Sequence, residues 1–163
     1  MSVVERLGSR IMSMTPEQLE AFLGQRFPTP LAVVATLRRD GSPTLTPVWF
    51  RWDGEAFLVW TSETRSWVRN LLRDPRVALS VQTFEPPYPA VVARGLASVE
   101  SNHDQDILSE IRAITERYVQ PGEVDPYIAE WPDLKAIVRI VPDHVSSWSE
   151  GGSTTEESHE RPE

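Results

Sequence analysis

Apolar positions change their spacing several times along the chain, and each change marks a predicted element. Residues 1–14 are weakly patterned and read as an N-terminal arm. At Thr15-Pro16-Glu17-Gln18 a helix opens. Thr15 can cap it, Pro16 suits its first position and Gln18 completes a capping box. Leu19, Phe22 and Leu23 form its apolar side, and Pro28 and Pro30 end it. Leu31 to Leu37 is nearly all apolar or β-prone. Arg39-Asp40-Gly41-Ser42 signals a hairpin, Thr44 to Trp52 a second strand, Asp53-Gly54 another turn and Ala56 to Thr61 a third strand. By local rules these three strands form an antiparallel sheet.

Ser62 to Asp74 breaks the strand pattern. Ser66 is the expected N-cap of a short helix, Val68, Leu71 and Leu72 share one side, and Asp74-Pro75 stops it. Val77 to Thr83 is a fourth strand. After the stiff Glu85-Pro86-Pro87-Tyr88-Pro89 connection, Ala90 to Val99 is a fifth, with Gly95 marking a bulge or a close approach. Asp104 to Val119 predicts a helix with Ile107, Leu108, Ile111, Ile114 and Tyr118 on one stripe. A shorter helix covers Pro126 to Trp131, and Ala136 to Val141 is the sixth strand. The expected class is mainly β (α+β). A six-stranded antiparallel barrel with two to three flanking helices, whose closure removes exposed edges, would occupy residues 15–149. Residues 150–163 form an acidic tail, expected to be disordered because Gly151 to Glu163 has nothing to bury.

The chain of 163 residues is 40% hydrophobic, enough for a buried core. Its net charge of −8 has the wrong sign for a general phosphate-backbone binder, so nucleic acid is not an expected partner. Without Cys there is no disulfide, thiolate metal site or cysteine nucleophile. No apolar run reaches the roughly 20 residues that cross a bilayer, and the N-terminus lacks a continuous signal core. These features predict a soluble cytoplasmic protein with no membrane partner. Fifteen of the 16 bases are Arg, Lys135 being the exception. The placement of these rigid forks matters more than their number.

Three segments carry candidate chemistry. In Trp60 to Asn70 a strand end meets a helix start, whose unpaired N–H groups and positive dipole end favour an anion. Thr61, Ser62, Thr64 and Ser66 add hydroxyls, Arg65 and Arg69 stand one turn apart, and Arg73 follows a turn later. This is either a phosphate cradle or a capped surface helix with solvated arginines. In Leu45 to Phe50, Pro47 removes a ladder donor. It either frees neighbouring backbone groups for a planar ligand or marks an ordinary edge strand. Trp49, Trp52, Trp60, Trp67, Trp131 and Trp148 suit a stacked ring ligand, a dimer core or plain core packing. His103, His144 and His159 lack metal-ligand spacing, so no metal site is expected. No Gly-rich nucleotide loop, nucleophile elbow or acid/base carboxylate pair is present, and catalytic residues are not assignable. Redox chemistry here would have to come from a bound cofactor.

The order of these parts resembles the pyridoxamine 5′-phosphate oxidase-like split β-barrel family, which includes FMN enzymes and oxidoreductases using the deazaflavin coenzyme F420. The resemblance spans about residues 28–148. It is carried by Asp40-Gly41 followed by Thr46-Pro47-Val48-Trp49, and by Arg69-Asn70-Leu71 followed by Asp74-Pro75-Arg76-Val77. Val138-Arg139-Ile140, Pro142 and Ser147-Trp148 resemble the family's final strand. The resemblance implies a six-stranded split barrel, a homodimer and cofactor sites in the dimer groove. It places Pro47, Val48 and Trp49 by the ring system and Trp60 and Thr61 near the ribityl chain. Ser66, Trp67 and Asn70 fall in the phosphate turn and helix, with Ser62, Arg65 and Arg69 beside them, and Trp148 near the cofactor. The implied activity is hydride transfer between a flavin or deazaflavin and a small organic substrate. The context of Asn70 and Asp74–Val77 favours F420 over FMN.

Departures from the pattern give a second reading. Trp67 stands where family members commonly carry a phosphate-binding Lys. The segment after Trp148 is acidic, where true pyridoxamine phosphate oxidases carry an Arg-Leu-His-type segment, which argues against that activity. Pro86–Pro89 lies near where the oxidases place a cofactor-binding Gln. The alternative is a non-catalytic split-barrel protein binding a flavin, a haem or another flat ligand.

Overall fold

A computed structural model describes residues 11–101 and 105–150; residues 1–10, His103 and the tail 151–163 lie outside the described residues. The chain runs β1 (Ile11–Met12), α1 (Pro16–Gly24), β2 (Leu31–Leu37), β3 (Pro43–Val48), β4 (Arg51–Trp52), β5 (Phe57–Thr61) and α2 (Ser66–Arg73). It continues through β6 (Arg76–Gln82), β7 (Ala90–Glu100), α3 (Gln105–Thr115), a 3-10 turn (Pro121–Glu123), α4 (Val124–Ala129) and β8 (Ala136–Glu150).

Local chemistry sets these boundaries as expected at several points. Thr15 caps α1, and its hydroxyl accepts from Gln18 N at 3.2 Å while Gln18 Oε1 accepts from Thr15 N at 2.9 Å. Gly41 and Gly54 occupy the two turns with φ of +82° and +98°, a region that favours glycine. Asp40 and Asp53 brace those turns by accepting backbone N–H bonds from Ser42, and from Glu55 and Ala56. The Ser66 cap is corrected. Arg65 holds the cap position, without a side-chain bond to the helix, and Ser66 is the first helical residue.

The architecture is α+β, mostly antiparallel sheet with four α-helices. Seven strands lie on one hydrogen-bonded path, β3-β2-β6-β7-β8-β5-β4, and β1 pairs with the far end of β8. The six-strand expectation is corrected twice. The stretch read as one strand, Thr44 to Trp52, breaks at Trp49–Phe50: its first part pairs with β2 and its second with β5. The path is therefore open between β3 and β4, yet only Trp49 and Phe50 join those two edge strands. A link of two residues spans at most about 11 Å, so the sheet must curl until its edges nearly meet.

The sixth strand also continues past Val141 to Glu150 and follows β7 along its whole length. Asp143 is the extra residue, where the register steps from Gly95↔Pro142 to Arg94↔His144. Gly95 is required here: a Cβ on it would lie 2.0 Å from the Val141 carbonyl oxygen.

One core fills the inside of the curl, with Phe50, Phe57, Val59, Val81, Val91, Val138 and Ile140 packed against Phe22 and Leu23 of α1 and Trp67, Val68 and Leu71 of α2. A second lies outside β5 and β8, where α3 presses Ile107, Ile111 and Ile114 on Leu58 and Ile137. β5 is thus covered on both faces, which explains its unbroken apolar run. α3 is shorter than expected, and Leu108 is half exposed rather than on its buried stripe. No described helix is long and apolar enough to cross a membrane.

Candidate functional site

The break between β3 and β4 leaves Trp49 outside the ladder. Its indole stacks between Tyr118 (centroids 4.7 Å apart, planes at 5°) and Tyr127 of α4 (5.0 Å, 27°). Tyr118 is anchored from below: its hydroxyl donates to Pro30 O at 2.8 Å and accepts from Phe50 N at 3.2 Å. Burial pushes its phenol pKa up, so it remains a neutral donor. Behind it lies the buried guanidinium of Arg117, 4.8 Å from the Phe50 ring centroid and 5.8 Å from that of Tyr118. Arg117 Nε has no hydrogen-bond partner, and burial together with nearby Arg26 and Arg51 lowers its pKa.

Across from Trp49, β5 presents Trp60, whose Nε1 donates to Leu134 O at 2.6 Å, and Trp60 meets the Tyr127 ring edge-on at 6.2 Å. β5 then turns into α2 through Ser62–Arg65. Arg65 N donates to Ser62 O, and the Ser62 and Thr64 hydroxyls are 2.9 Å apart. In the first turn of α2, Val68 N and Arg69 N both donate to Arg65 O. The N–H groups of Ser66 and Trp67 have no backbone acceptor among the described residues, as expected at a helix start.

These elements enclose a cleft of about 430 Å³ lined by Thr46, Pro47, Val48, Trp49, Trp60, Thr61, Arg65, Ser66, Trp67, Tyr127 and Leu134. That size lies within the roughly 300–1,000 Å³ of small-molecule sites. Eight of the twelve residues singled out from the sequence line it, although they come from three separate segments. One end is apolar and aromatic. The other offers an exposed Arg65, with no ion-pair partner among the described residues, beside the free N–H groups of α2. An anion joined to a flat ring matches this polarity. Among the described residues Arg65 is the only charged one lining the cleft, and Tyr127 is the lining phenol.

The remaining four residues lie elsewhere. Ser62 lines an adjoining cavity. Arg69 is exposed and off the cleft. Asn70 faces the protein, with Nδ2 donating to Thr36 Oγ1 at 3.1 Å and Oδ1 accepting from Arg73 at 3.2 Å. Asp74 is likewise occupied by Arg76. The context that favoured F420 therefore has a structural explanation. Trp148 pairs with Ala90, while Trp60 and Thr61 pair with Ile137 and Ala136. Trp148 stands twelve positions along β8 from Ala136, on the order of 40 Å if fully extended. Trp67 lines the cleft and is also part of the core.

Sequence reasoning missed Tyr127. Its signal was the pair Tyr127 and Trp131 within the stretch expected as a short helix, Pro126 to Trp131, although the helix itself ends at Ala129. No described group of His, Cys, Asp and Glu is placed to hold a metal ion.

Comparison with solved structures gives a consistent fold. A conserved hypothetical protein from Mycobacterium tuberculosis is 25% identical with a TM-score of 0.68, over 83% of this chain and 85% of that one. A protein described as an F420 reductase is 24% identical with a TM-score of 0.61, over 81% and 98%. A haem storage protein from Vibrio cholerae is 19% identical with a TM-score of 0.66, over 86% and 98%. The family model described as pyridoxamine 5′-phosphate oxidase matches residues 15–149. The chain belongs to the pyridoxamine 5′-phosphate oxidase-like split-barrel family.

Proposed function

We propose that this protein binds a flavin-type cofactor, FMN, FAD or the deazaflavin F420, in the cleft between β3, β5, α2 and α4, and works with it as an oxidoreductase on a small organic substrate. The observation that carries this reading is the polarity of the cleft: Trp49 and Trp60 at one end, Arg65 and the free N–H groups of Ser66 and Trp67 at the other. In this reading Arg65 and the start of α2 hold the phosphate. Pro47, Val48, Trp49 and Trp60 hold the ring edge and keep water from it. When bound, the cofactor supplies the hydride chemistry.

The homodimer belongs to the same proposal. Leu31, Leu45, Leu96 and Val141 are exposed on β2, β3, β7 and β8, and Leu96 lines a shallow cavity of about 360 Å³ together with Ala35, Leu37, Pro43 and Gly95. Several exposed apolar side chains on neighbouring strands suit a second copy. A second copy would also be the natural source of a Trp148 near the cofactor, since this chain's own is remote.

A non-catalytic binding protein is the second reading, supported by Trp67 at the usual Lys position. For a haem, the cleft lining provides no His, Cys or Met as axial ligand and leaves only Tyr127.

One experiment separates the readings. Purified protein is titrated with FMN, with FAD and with F420 while cofactor fluorescence is followed, and the loaded protein is then offered quinones, enones and nitro-compounds. Micromolar binding with turnover supports the oxidoreductase. Binding without turnover supports the second reading, and no fluorescence change with any of the three overturns both flavin readings.

A further inference from the structure

The cleft does not end at Arg65. A second cavity of about 360 Å³ adjoins it, lined by Ser62, Thr64, Arg65, Glu130, Trp131, Pro132, Asp133 and Leu134. Arg65 and Leu134 line both cavities, so they stand at the partition. Beyond that partition the chemistry changes sign. The cleft has Arg65 as its one charged residue, whereas the second cavity carries Glu130 and Asp133. Neither carboxylate has an ion-pair partner among the described residues. Trp131, which lines it, is 41% exposed and so has indole surface free for a stacked ring.

We propose that this second cavity is a subsite for the neutral, amino-bearing aromatic base of a dinucleotide cofactor, and that it turns away an oligocarboxylate tail. The inference rests on the flavin-type reading above and deepens it. With the isoalloxazine-type ring against Trp49 and Trp60, the phosphates lie at the partition, where Arg65 and the start of α2 provide donors. Whatever follows the phosphates then meets Trp131, Glu130 and Asp133. A base can stack on an indole, a contact worth roughly 1–3 kcal/mol per base in single-strand binders. Carboxylates only accept hydrogen bonds, so they match an exocyclic amino group such as that of adenine. A chain of carboxylates, such as the one that follows the phosphate in F420, meets like charges instead. A cofactor that ends at one phosphate, as FMN does, leaves the subsite unused.

The test is a fluorescence titration of the full chain with FMN, FAD and F420, repeated with Trp131→Ala and with a Glu130→Gln/Asp133→Asn double variant. All three residues are exposed, so the variants should fold, which circular dichroism checks. In the parent protein FAD should bind more tightly than FMN, and FMN more tightly than F420. Trp131→Ala should lower FAD affinity relative to FMN roughly tenfold. The double variant should raise F420 affinity relative to FMN roughly fivefold at low salt, and less at high salt. Binding of FMN with F420 equal to it or tighter, or with FAD weaker than FMN, overturns the subsite and leaves the flavin reading standing. Unchanged ratios in the variants do the same. If none of the three cofactors binds, the flavin reading fails and the subsite fails with it.

Discussion

Asp74, just past the end of α2, shows how one carboxylate can carry a pH dependence. It accepts from Arg76 Nε at 3.0 Å, Arg76 Nη2 at 2.7 Å and Arg76 N at 3.2 Å. The Arg76 side-chain bonds, then the backbone bond, pull its pKa down to about 2. A pKa lower in the folded chain than in the unfolded one adds stability above the unfolded value near 3.8, and that stability is lost as pH falls toward 2. Asp74→Asn should flatten acid unfolding between about pH 4 and 2, followed by circular dichroism, and added salt should shrink the difference. The same residue shows a limit of reading from sequence. Asp74-Pro75 was legible as a helix stop, because proline chemistry is local. That Asp74 and Asn70 serve neighbouring backbone and arginines, rather than a cofactor, was not, since those bonds depend on where β2 and β6 end up.

Among the elements, β7 and β8 show what pattern does and does not reveal. Gly95 was legible as a close approach because glycine inside a β-branched run has few other uses. The second half of β8 was not legible from local pattern, and only the family resemblance carried the final strand on to Ser147-Trp148. Pro142, Asp143 and His144 look like a terminator, and Ser146, Ser147 and Ser149 do not alternate with apolar residues. The strand persists there because β7 supplies a ladder, a tertiary cause invisible to local propensity. Gly95→Ala should test how tightly the two strands are fitted. With Val141 O and Pro142 Cα at 2.0 and 2.8 Å from the new methyl position, backbone must move. The expected loss is at least about 2 kcal/mol, read as a lower urea midpoint with an unchanged slope. The aromatic cleft was partly legible in the same sense. Pro47, Trp49 and Trp60 announced themselves by residue type, whereas Tyr127 reaches them only because α4 folds back over β5.

For the whole molecule, the exposed apolar side chains of β2, β3, β7 and β8 predict a dimer. Light scattering should give about twice the chain mass of 18.5 kDa. Leu96→Asp combined with Val141→Asp should shift the protein toward a single chain, both side chains being half exposed on adjacent paired strands. A single-chain mass for the parent protein would remove the partner's Trp148 from the site while leaving the cleft of one chain as it is.

The break at Trp49–Phe50 works as a buckle. The residues on either side of it belong to opposite margins of the sheet, so a molecule clasped against Trp49 tightens both margins at once. Occupancy and resistance to unrolling are therefore linked through two consecutive peptide units, and amide exchange should slow on β2 and β5 together although four strand pairings lie between them.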